Sequence, residues 1–385
     1  MLKTVAAVVE QPKGPFVLRE VELEAPRPDE VRVRLHAVGI CHTDLVHRDG
    51  HGAFGLPAVL GHEGAGIIEA VGEKVSRVSV GERVVLSFHA CRQCAACRSA
   101  RPAYCAEAFA GNFSGARPNG SRPVRLEGRE VGSAFFGQSS FARHAIVAAR
   151  NVVKVPDDLS LDRLAPLGCG LQTGAGAVLN TLQLKAGQSL AVFGAGAVGL
   201  AAIMAAKAVG AGPILAIDIR DERLALAEQL GADMTFRGDQ PELAKAVRRA
   251  VKGGVEAALD CVGAQGVLAS AFQSLAVGGT CVLLGLPRRG TEVGVDMTAL
   301  LRGRRLVGSI EGDADPQSFI PHLIDLHRQG QFPFEQLIRF YPFEAINEAA
   351  HDMERGRTVK PVLLMPQEQT YDCFPTRAGS GPDYT

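Results

Sequence analysis

The sequence predicts an α/β chain made of a β-rich part and a second part built on a parallel sheet. Two observations carry this. Residues 1 to about 150 hold short β-branched or apolar runs with scarce helical periodicity, at 5–9, 31–38, 65–71 and 83–88, each bounded by Gly, Pro or charge. From about Gly187 the texture changes. Apolar runs at 190–193, 214–217, 257–259 and 281–284 alternate with helix-periodic segments such as 222–230 and 242–251, the pattern of βαβ units.

Each element has its own local reason. Gly231 follows the apolar positions Leu224, Leu226, Ala227 and Leu230 as a helix-ending glycine should. The stretch 190–206 runs seventeen residues without a charge, but Gly194, Gly196 and Gly199 in its first half favour a buried strand turning into a buried helix over a membrane span. After about Gly312 a helix at roughly 316–329, a loop and a last strand at 359–365 are expected. The polar Gly/Pro segment 115–123 reads as an exposed loop, and 366–385 as a poorly ordered tail or surface arm.

Composition narrows the function classes. A length of 385 residues suggests two or three domains, and 46% hydrophobic against 21% charged residues lets each bury a core. Lys plus Arg and Asp plus Glu both total 41, so no global field draws the chain to nucleic acid or an anionic membrane. The apolar run 5–9 is too short for a signal-peptide core, so cytoplasmic residence with reduced thiols is expected. Nine cysteines, four of them within fifteen residues, point to metal rather than to a disulfide framework.

Cys91, Cys94, Cys97 and Cys105 form C-x2-C-x2-C-x7-C. Four thiolates at this spacing can close a tetrahedral shell on one Zn²⁺, leaving no open position, so the metal would be structural. An iron–sulfur cluster is the competitor, although such runs place the fourth cysteine closer and a proline behind it. A dispersed set is formed by Cys41, His62 and Cys169, each in a glycine-flanked segment. Two thiolates and an imidazole leave a fourth position for water or substrate, the arrangement of catalytic zinc. Singly, each of these residues is more often core than ligand; the case rests on their combination.

Gly194-Ala195-Gly196-Ala197-Val198-Gly199 is G-x-G-x-x-G between a strand and a helix. Gly194 makes the tight turn, Gly196 admits a pyrophosphate to the backbone, and Gly199 lets helix and strand pack closely. Asp218 closes the next strand nineteen residues after Gly199, where a carboxylate accepts ribose hydroxyls and repels a 2′-phosphate, favouring NAD over NADP. Arg220 and Arg223 nearby are of the type that accommodates that phosphate.

In this order, G-I-C-H-T-D at 39–44, G-H-E-G-A-G at 61–66, the four-cysteine lobe, C-G-L-Q-T at 169–173 and G-A-G-A-V-G at 194–199 resemble the zinc-dependent medium-chain alcohol dehydrogenases over nearly the whole chain. The resemblance implies a GroES-like β-rich catalytic domain (1–170, completed by 312–365) around a Rossmann NAD-binding domain (171–311), with two zinc ions per subunit. It implies that Cys41, His62 and Cys169 hold the catalytic zinc, with Glu63 behind the metal and Asp44 orienting the imidazole. Thr43 would take the substrate proton. His42 would contact the pyrophosphate, Thr173 the nicotinamide, Asp218 and Arg223 the adenosine ribose, and Lys360 a phosphate.

One position departs from well-known animal members, whose proton relay ends at a histidine five residues after the first zinc cysteine. Here that residue is Val46, and His47 follows it. Either His47 substitutes as the relay, or the proton leaves through ribose and solvent; an exposed loop histidine beside Arg48 is the bland alternative. The segments 135–141 and 310–313 look like the aryl or benzyl alcohol branch and related terpenoid alcohol enzymes. The implied activity is reversible oxidation of a primary alcohol to an aldehyde, with zinc as Lewis acid and NAD as hydride acceptor. A dehydrogenase of polyols or secondary alcohols is the same-class alternative, and a non-enzymatic zinc and nucleotide sensor the different-class one. The resemblance also implies a homodimer or homotetramer. Cys261 and Cys281 are expected to pack as small hydrophobes, and Cys373 has no role assigned.

Overall fold

A computed structural model of the chain describes residues 1–288 and 290–366. It contains three sheets, and the predicted α/β architecture holds: a GroES-like β-rich part joined to a Rossmann-type parallel sheet. The parallel sheet has six strands in the order Met234–Arg237, Ile214–Asp218, Leu190–Phe193, Val255–Asp260, Leu275–Leu283, Arg305–Gly308. Every neighbouring pair is parallel, and the order reverses beside Leu190–Phe193, which places a ligand crevice at that strand's carboxyl end. The runs at 190–193 and 214–217 sit in these strands because they are apolar on both faces, as a sheet covered by helices on both sides requires.

The β-rich part consists of a five-stranded and a seven-stranded sheet. In the larger, the long strand Glu30–Gly39 pairs antiparallel with Glu63–Val71, with His144–Ala148 and with the final strand Lys360–Leu364. The last described strand therefore returns to the sheet of Glu30–Gly39, bringing Lys360 Nζ to the Ile40 carbonyl oxygen at 3.2 Å. Helices Asp221–Leu230, Leu243–Ala250 and Pro316–Arg328 lie within a residue or two of their expected spans, and Gly231 ends the first of them at φ 122°.

Two expectations change. Segment 115–123 is not a plain exposed loop: Arg117 is buried, its Nε 2.6 Å from Glu30 Oε1 and its Nη1 2.8 Å from Glu24 Oε2. Pairing with these two carboxylates outweighs the polarity of the local sequence. Nor is His47 an exposed loop histidine; it is buried, for reasons given below. The stretch 190–206 is a strand followed by the first part of helix Ala197–Ala208, and among the described residues no helix is long and apolar enough to cross a membrane. Residues 367–385, with Cys373, lie outside the described part.

Candidate active site

Strand Glu30–Gly39 ends just before Cys41, and the short helix His42–Val46 begins after it. Asp44 acts twice at this corner. Its Oδ2 accepts from the Cys41 backbone N–H at 2.9 Å, and its Oδ1 accepts from the Gly61 N–H at 3.1 Å and from His62 Nδ1 at 2.8 Å. A carboxylate on Nδ1 leaves the lone pair of the neutral ring on Nε2. That Nε2 is buried and has no hydrogen-bond partner.

Cys169 enters from a segment well downstream of Cys41 and His62, at the start of helix Gly170–Gly176. Ligand atoms of Cys41, His62, Glu63 and Cys169 all lie within 4.8 Å of one another. Glu63 is spoken for: its carboxylate accepts both from Lys360 Nζ, 2.9 Å from each oxygen, and from the Gly170 N–H at 3.1 Å. Its oxygens are thus turned to a buried cation, leaving two thiols and one imidazole facing the common centre. An orphaned buried imidazole nitrogen beside two thiols is a donor set that fits Zn²⁺ and leaves one coordination position for substrate.

The charges agree with that reading. The hydrogen bond from Cys169 and the neighbouring His62 hold the Cys41 thiol well below its ordinary range against the cost of burial. The same bond, with burial, pushes Cys169 up. Burial opposes protonation of His62, but Asp44 and Cys41 outweigh it and raise the imidazole. Two thiols compete for one negative charge, as expected of ligands awaiting a cation.

The second group is compact. Sγ atoms of Cys91 and Cys97 are 3.9 Å apart, and those of Cys94 and Cys105 4.0 Å. Four sulfurs about 2.3 Å from one tetrahedral zinc lie about 3.8 Å from each other. Backbone N–H groups of Cys91 and Glu107 point at Cys105 Sγ, that of Cys94 at Cys91 Sγ, and that of Ala106 at Cys94 Sγ. The last of these leads the interactions that bring the Cys94 thiol down to about 6.

The glycine-rich loop leaves the crevice end of strand Leu190–Phe193 and opens helix Ala197–Ala208. Gly194 has φ +97°, and a Cβ on Gly199 would sit 1.9 Å from the Gly194 carbonyl oxygen, so neither position accepts a side chain. Nothing lies within 4 Å of a Cβ built on Gly196, which leaves space for a ligand against the backbone. Asp218 braces the loop, accepting from the Ala195 N–H at 2.7 Å. A cleft of about 250 Å³ runs from this loop to Cys41, the partly exposed member of the trio, and is lined also by His42, Val198, Arg223, Thr358 and Lys360. Arg223 Nη2 donates to the carbonyls of Gly356 and Thr358, while its buried Nη1 has no partner. Thr173 is half-buried, its hydroxyl turned back to the Cys169 carbonyl at 2.9 Å.

Residues 27–157 match the family described as "Alcohol dehydrogenase GroES-like domain" and residues 197–328 that described as "Zinc-binding dehydrogenase". The chain is 47% identical to geraniol dehydrogenase of Castellaniella defragrans, over 93% of this chain and 97% of the relative. The chain belongs to the zinc-dependent alcohol dehydrogenases.

Among solved members of this alcohol dehydrogenase family, benzyl alcohol dehydrogenase of Acinetobacter calcoaceticus superposes with a TM-score of 0.92 at 42% identity, covering 95% of this chain and all of the other. An alcohol dehydrogenase zinc-binding domain protein of Burkholderia ambifaria gives 0.93 at 46% identity with the same coverage. As in its family, the enzyme is an NAD-dependent oxidoreductase with a catalytic and a structural zinc.

In the sequence Phe135 and Phe136 stood out only as part of a branch resemblance, and the aromatic wall that this alcohol dehydrogenase builds with them beside its trio was missed. Phe136 stacks on the His62 ring at 4.3 Å and Phe135 meets it edge-on at 5.4 Å. Phe113 packs on both phenylalanines, and Phe54 on Phe135. His47 is enclosed by Phe54, Phe113 and Phe135, with Nδ1 2.9 Å from the Thr43 carbonyl oxygen, and burial lowers its pKa. These rings come from separate segments, so no spacing in the sequence announces them. Glu311 was noted only as part of a branch resemblance. It is buried, 3.5 Å from Cys169 Sγ, and burial pushes its carboxyl up to about 7.

Proposed function

We propose that the enzyme oxidises primary alcohols of the benzylic or allylic type to aldehydes, reversibly, with NAD. The observation that carries this is the cluster of Phe54, Phe113, Phe135 and Phe136 packed beside His62, which gives the centre an apolar, aromatic surrounding suited to a flat, conjugated substrate. Relatives named for benzyl alcohol and for geraniol support the same reading, since both alcohols carry their hydroxyl one carbon from a π-system.

Cys41, His62 and Cys169 would hold the catalytic zinc, and Cys91, Cys94, Cys97 and Cys105 the structural one. Bound there, zinc acts as a Lewis acid that lowers the pKa of an alcohol hydroxyl. NAD in the cleft is the hydride acceptor. Asp44 fixes the tautomer of His62 and the backbone of Cys41, so both donors face the centre before substrate arrives. Glu63 sits behind the trio, and its ion pair with Lys360 keeps a full negative charge from competing with the thiolates. Thr43, whose Oγ1 is 3.8 Å from Cys41 Sγ, takes the substrate proton. His47 is tied to the Thr43 carbonyl and walled by phenyl rings, which favours release of the proton through ribose and solvent over release through His47.

His42 lines the cleft where the pyrophosphate would cross, between Gly194, Gly196, Val198 and Gly199 on one side and the charge of Lys360 on the other. Asp218 would accept the adenosine ribose hydroxyls, with Arg223 Nη1 free to reach the same sugar. Thr173 would face the nicotinamide. We assign 1–170 with 312–365 to the catalytic domain and 171–311 to the NAD domain. The edge strand Arg305–Gly308 and helix Met297–Leu301 expose Val307, Met297 and Leu301, a surface suited to pairing with a second copy in a homodimer or homotetramer. A cytoplasmic, reducing setting suits a chain whose eight described cysteines are all free thiols.

Initial rates with NAD on a panel of benzyl alcohol, cinnamyl alcohol, geraniol, hexanol, cyclohexanol, sorbitol and hydroxymethylglutathione test the reading. The benzylic and allylic alcohols should show the highest kcat/KM. A preference for hexanol, cyclohexanol or sorbitol would overturn it.

A further inference from the structure

The four-cysteine lobe and the buried trio are joined by one short turn, residues 311–315. At one end, Glu311 places Oε1 3.5 Å from Cys169 Sγ, while its Oε2 accepts from Gln172 Nε2 at 2.9 Å. Two residues on, Asp313 accepts from the Tyr104 hydroxyl at 2.5 Å and from Thr181 Oγ1 at 2.8 Å. At the far end, Asp315 accepts from Arg92 Nη1 at 2.7 Å while capping helix Pro316–Arg328. Tyr104 immediately precedes Cys105, and Arg92 immediately follows Cys91.

The turn does not hold its shape unaided. Glu311, Gly312 and Asp313 have φ of 53°, 66° and 51°, three consecutive residues in the left-handed region, two of them with side chains that disfavour it. Gly312 fits only without a Cβ, which would lie 2.7 Å from the carbonyl oxygens of Gln172 and Thr173, so the turn is pressed directly onto the helix that begins at Cys169. Such a conformation persists where surrounding contacts over-determine it. Here the contacts on one side come from the lobe.

We propose that the four-cysteine lobe is a positioning element for the catalytic centre. The bonds Tyr104–Asp313 and Arg92–Asp315 clamp the strained turn, and the clamped turn holds Glu311 against Cys169 and Gln172. Tyr104 and Arg92 touch neither the trio nor the cleft; they act through the turn. When the clamps are lost, residues 311–313 relax toward the right-handed region, Glu311 withdraws, and the start of helix Gly170–Gly176 opens more often. The inference rests on reading Cys41, His62 and Cys169 as metal ligands.

The test follows the reactivity of each cysteine, not turnover. Wild-type holoenzyme, Tyr104→Phe, Asp313→Asn and the double variant Tyr104→Phe/Arg92→Gln are treated with a zinc chelator and iodoacetamide, and alkylation of every cysteine is timed by mass spectrometry. In the double variant Cys169 and Cys41 should react about tenfold faster, the effect of one or two lost hydrogen bonds on a local opening equilibrium, while Cys91, Cys94, Cys97 and Cys105 keep their wild-type rates. Asp313→Asn, which approaches the clamp from the turn, should shift the same two cysteines. Unchanged rates at Cys169 and Cys41 in all three variants would overturn the proposal, as would lobe cysteines accelerating in step with them. If wild-type Cys169 reacts equally fast with and without zinc, the ligand reading itself fails and takes this inference with it.

Discussion

The two cysteine clusters are built by opposite means. The lobe draws four sulfurs from fifteen residues and orients them with N–H groups of the same short segment, and two of the four stay partly exposed. The trio draws its donors from three separate segments and joins them through contacts between those segments: Asp44 holds both the Cys41 backbone and the His62 ring, and Glu311 lies against Cys169, with Glu63 and Lys360 behind them. A local cluster depends on its loop. A dispersed one reports on the whole fold, because the sheet return, the helix starts and the buried ion pair must all be right before three donors share a centre.

That contrast can be broken, first and most strongly, at the trio. His62→Ala should lower kcat/KM for the best alcohol on the order of a thousandfold, about 4 kcal/mol of transition-state stabilisation, while the lobe cysteines stay protected from alkylation. A loss within tenfold would mean that the trio is not where the chemistry happens. Behind it, Lys360→Met leaves Glu63 buried without its cation and should cost about 3–5 kcal/mol in urea unfolding. The double variant Glu63→Gln/Lys360→Met should recover most of that; simple additivity would show that the pair is not coupled.

The lobe should respond differently. Cys94→Ser should release one zinc and lower the thermal midpoint by about 3 °C, the scale of a loss of ~2–3 kcal/mol in a chain of this size, yet keep kcat/KM within about tenfold. Complete inactivation with the second zinc still bound would erase the distinction between the clusters.

The smallest effect concerns pH. His47 and His89 are both lowered by burial, so the unfolded chain binds protons at these rings near pH 6.5 while the folded chain does so only below it. Their contribution is fully present above that pH and is lost as pH falls through the lowered folded values. His47→Phe suits the surrounding rings and should flatten the fall of unfolding free energy between about pH 7 and 5.5. An unchanged slope would place the acid sensitivity elsewhere.

What could be read in advance follows the same divide. The lobe, the glycine-rich loop and the trio were legible because their chemistry restricts residue type at fixed positions: sulfur or imidazole for a metal, no Cβ where Gly199 meets the Gly194 carbonyl. The strands at 190–193 and 214–217 were legible because a doubly covered sheet demands unbroken apolar runs. Strand Phe16–Leu23 was not, since Arg19 and Glu20 interrupt its pattern on a solvent face. Nor were the Glu63–Lys360 pair, the burial of Arg117 or the place of Glu311. Each is a long-range polar contact whose partners are ordinary surface residue types; the return of strand Lys360–Leu364 brings the first indoors, Glu24 and Glu30 the second, and the turn at 311–315 the third.

On the proposed assignment Cys41, His62 and Cys169 hold a second, catalytic zinc independent of the lobe's ligands. Zinc per subunit, measured on purified wild type and Cys41→Ser alongside alcohol-dependent NADH formation, tests it most directly. Two zinc ions should fall to one, with NADH formation lost and the lobe intact. Two zinc ions retained in Cys41→Ser, or undiminished NADH formation, would contradict it.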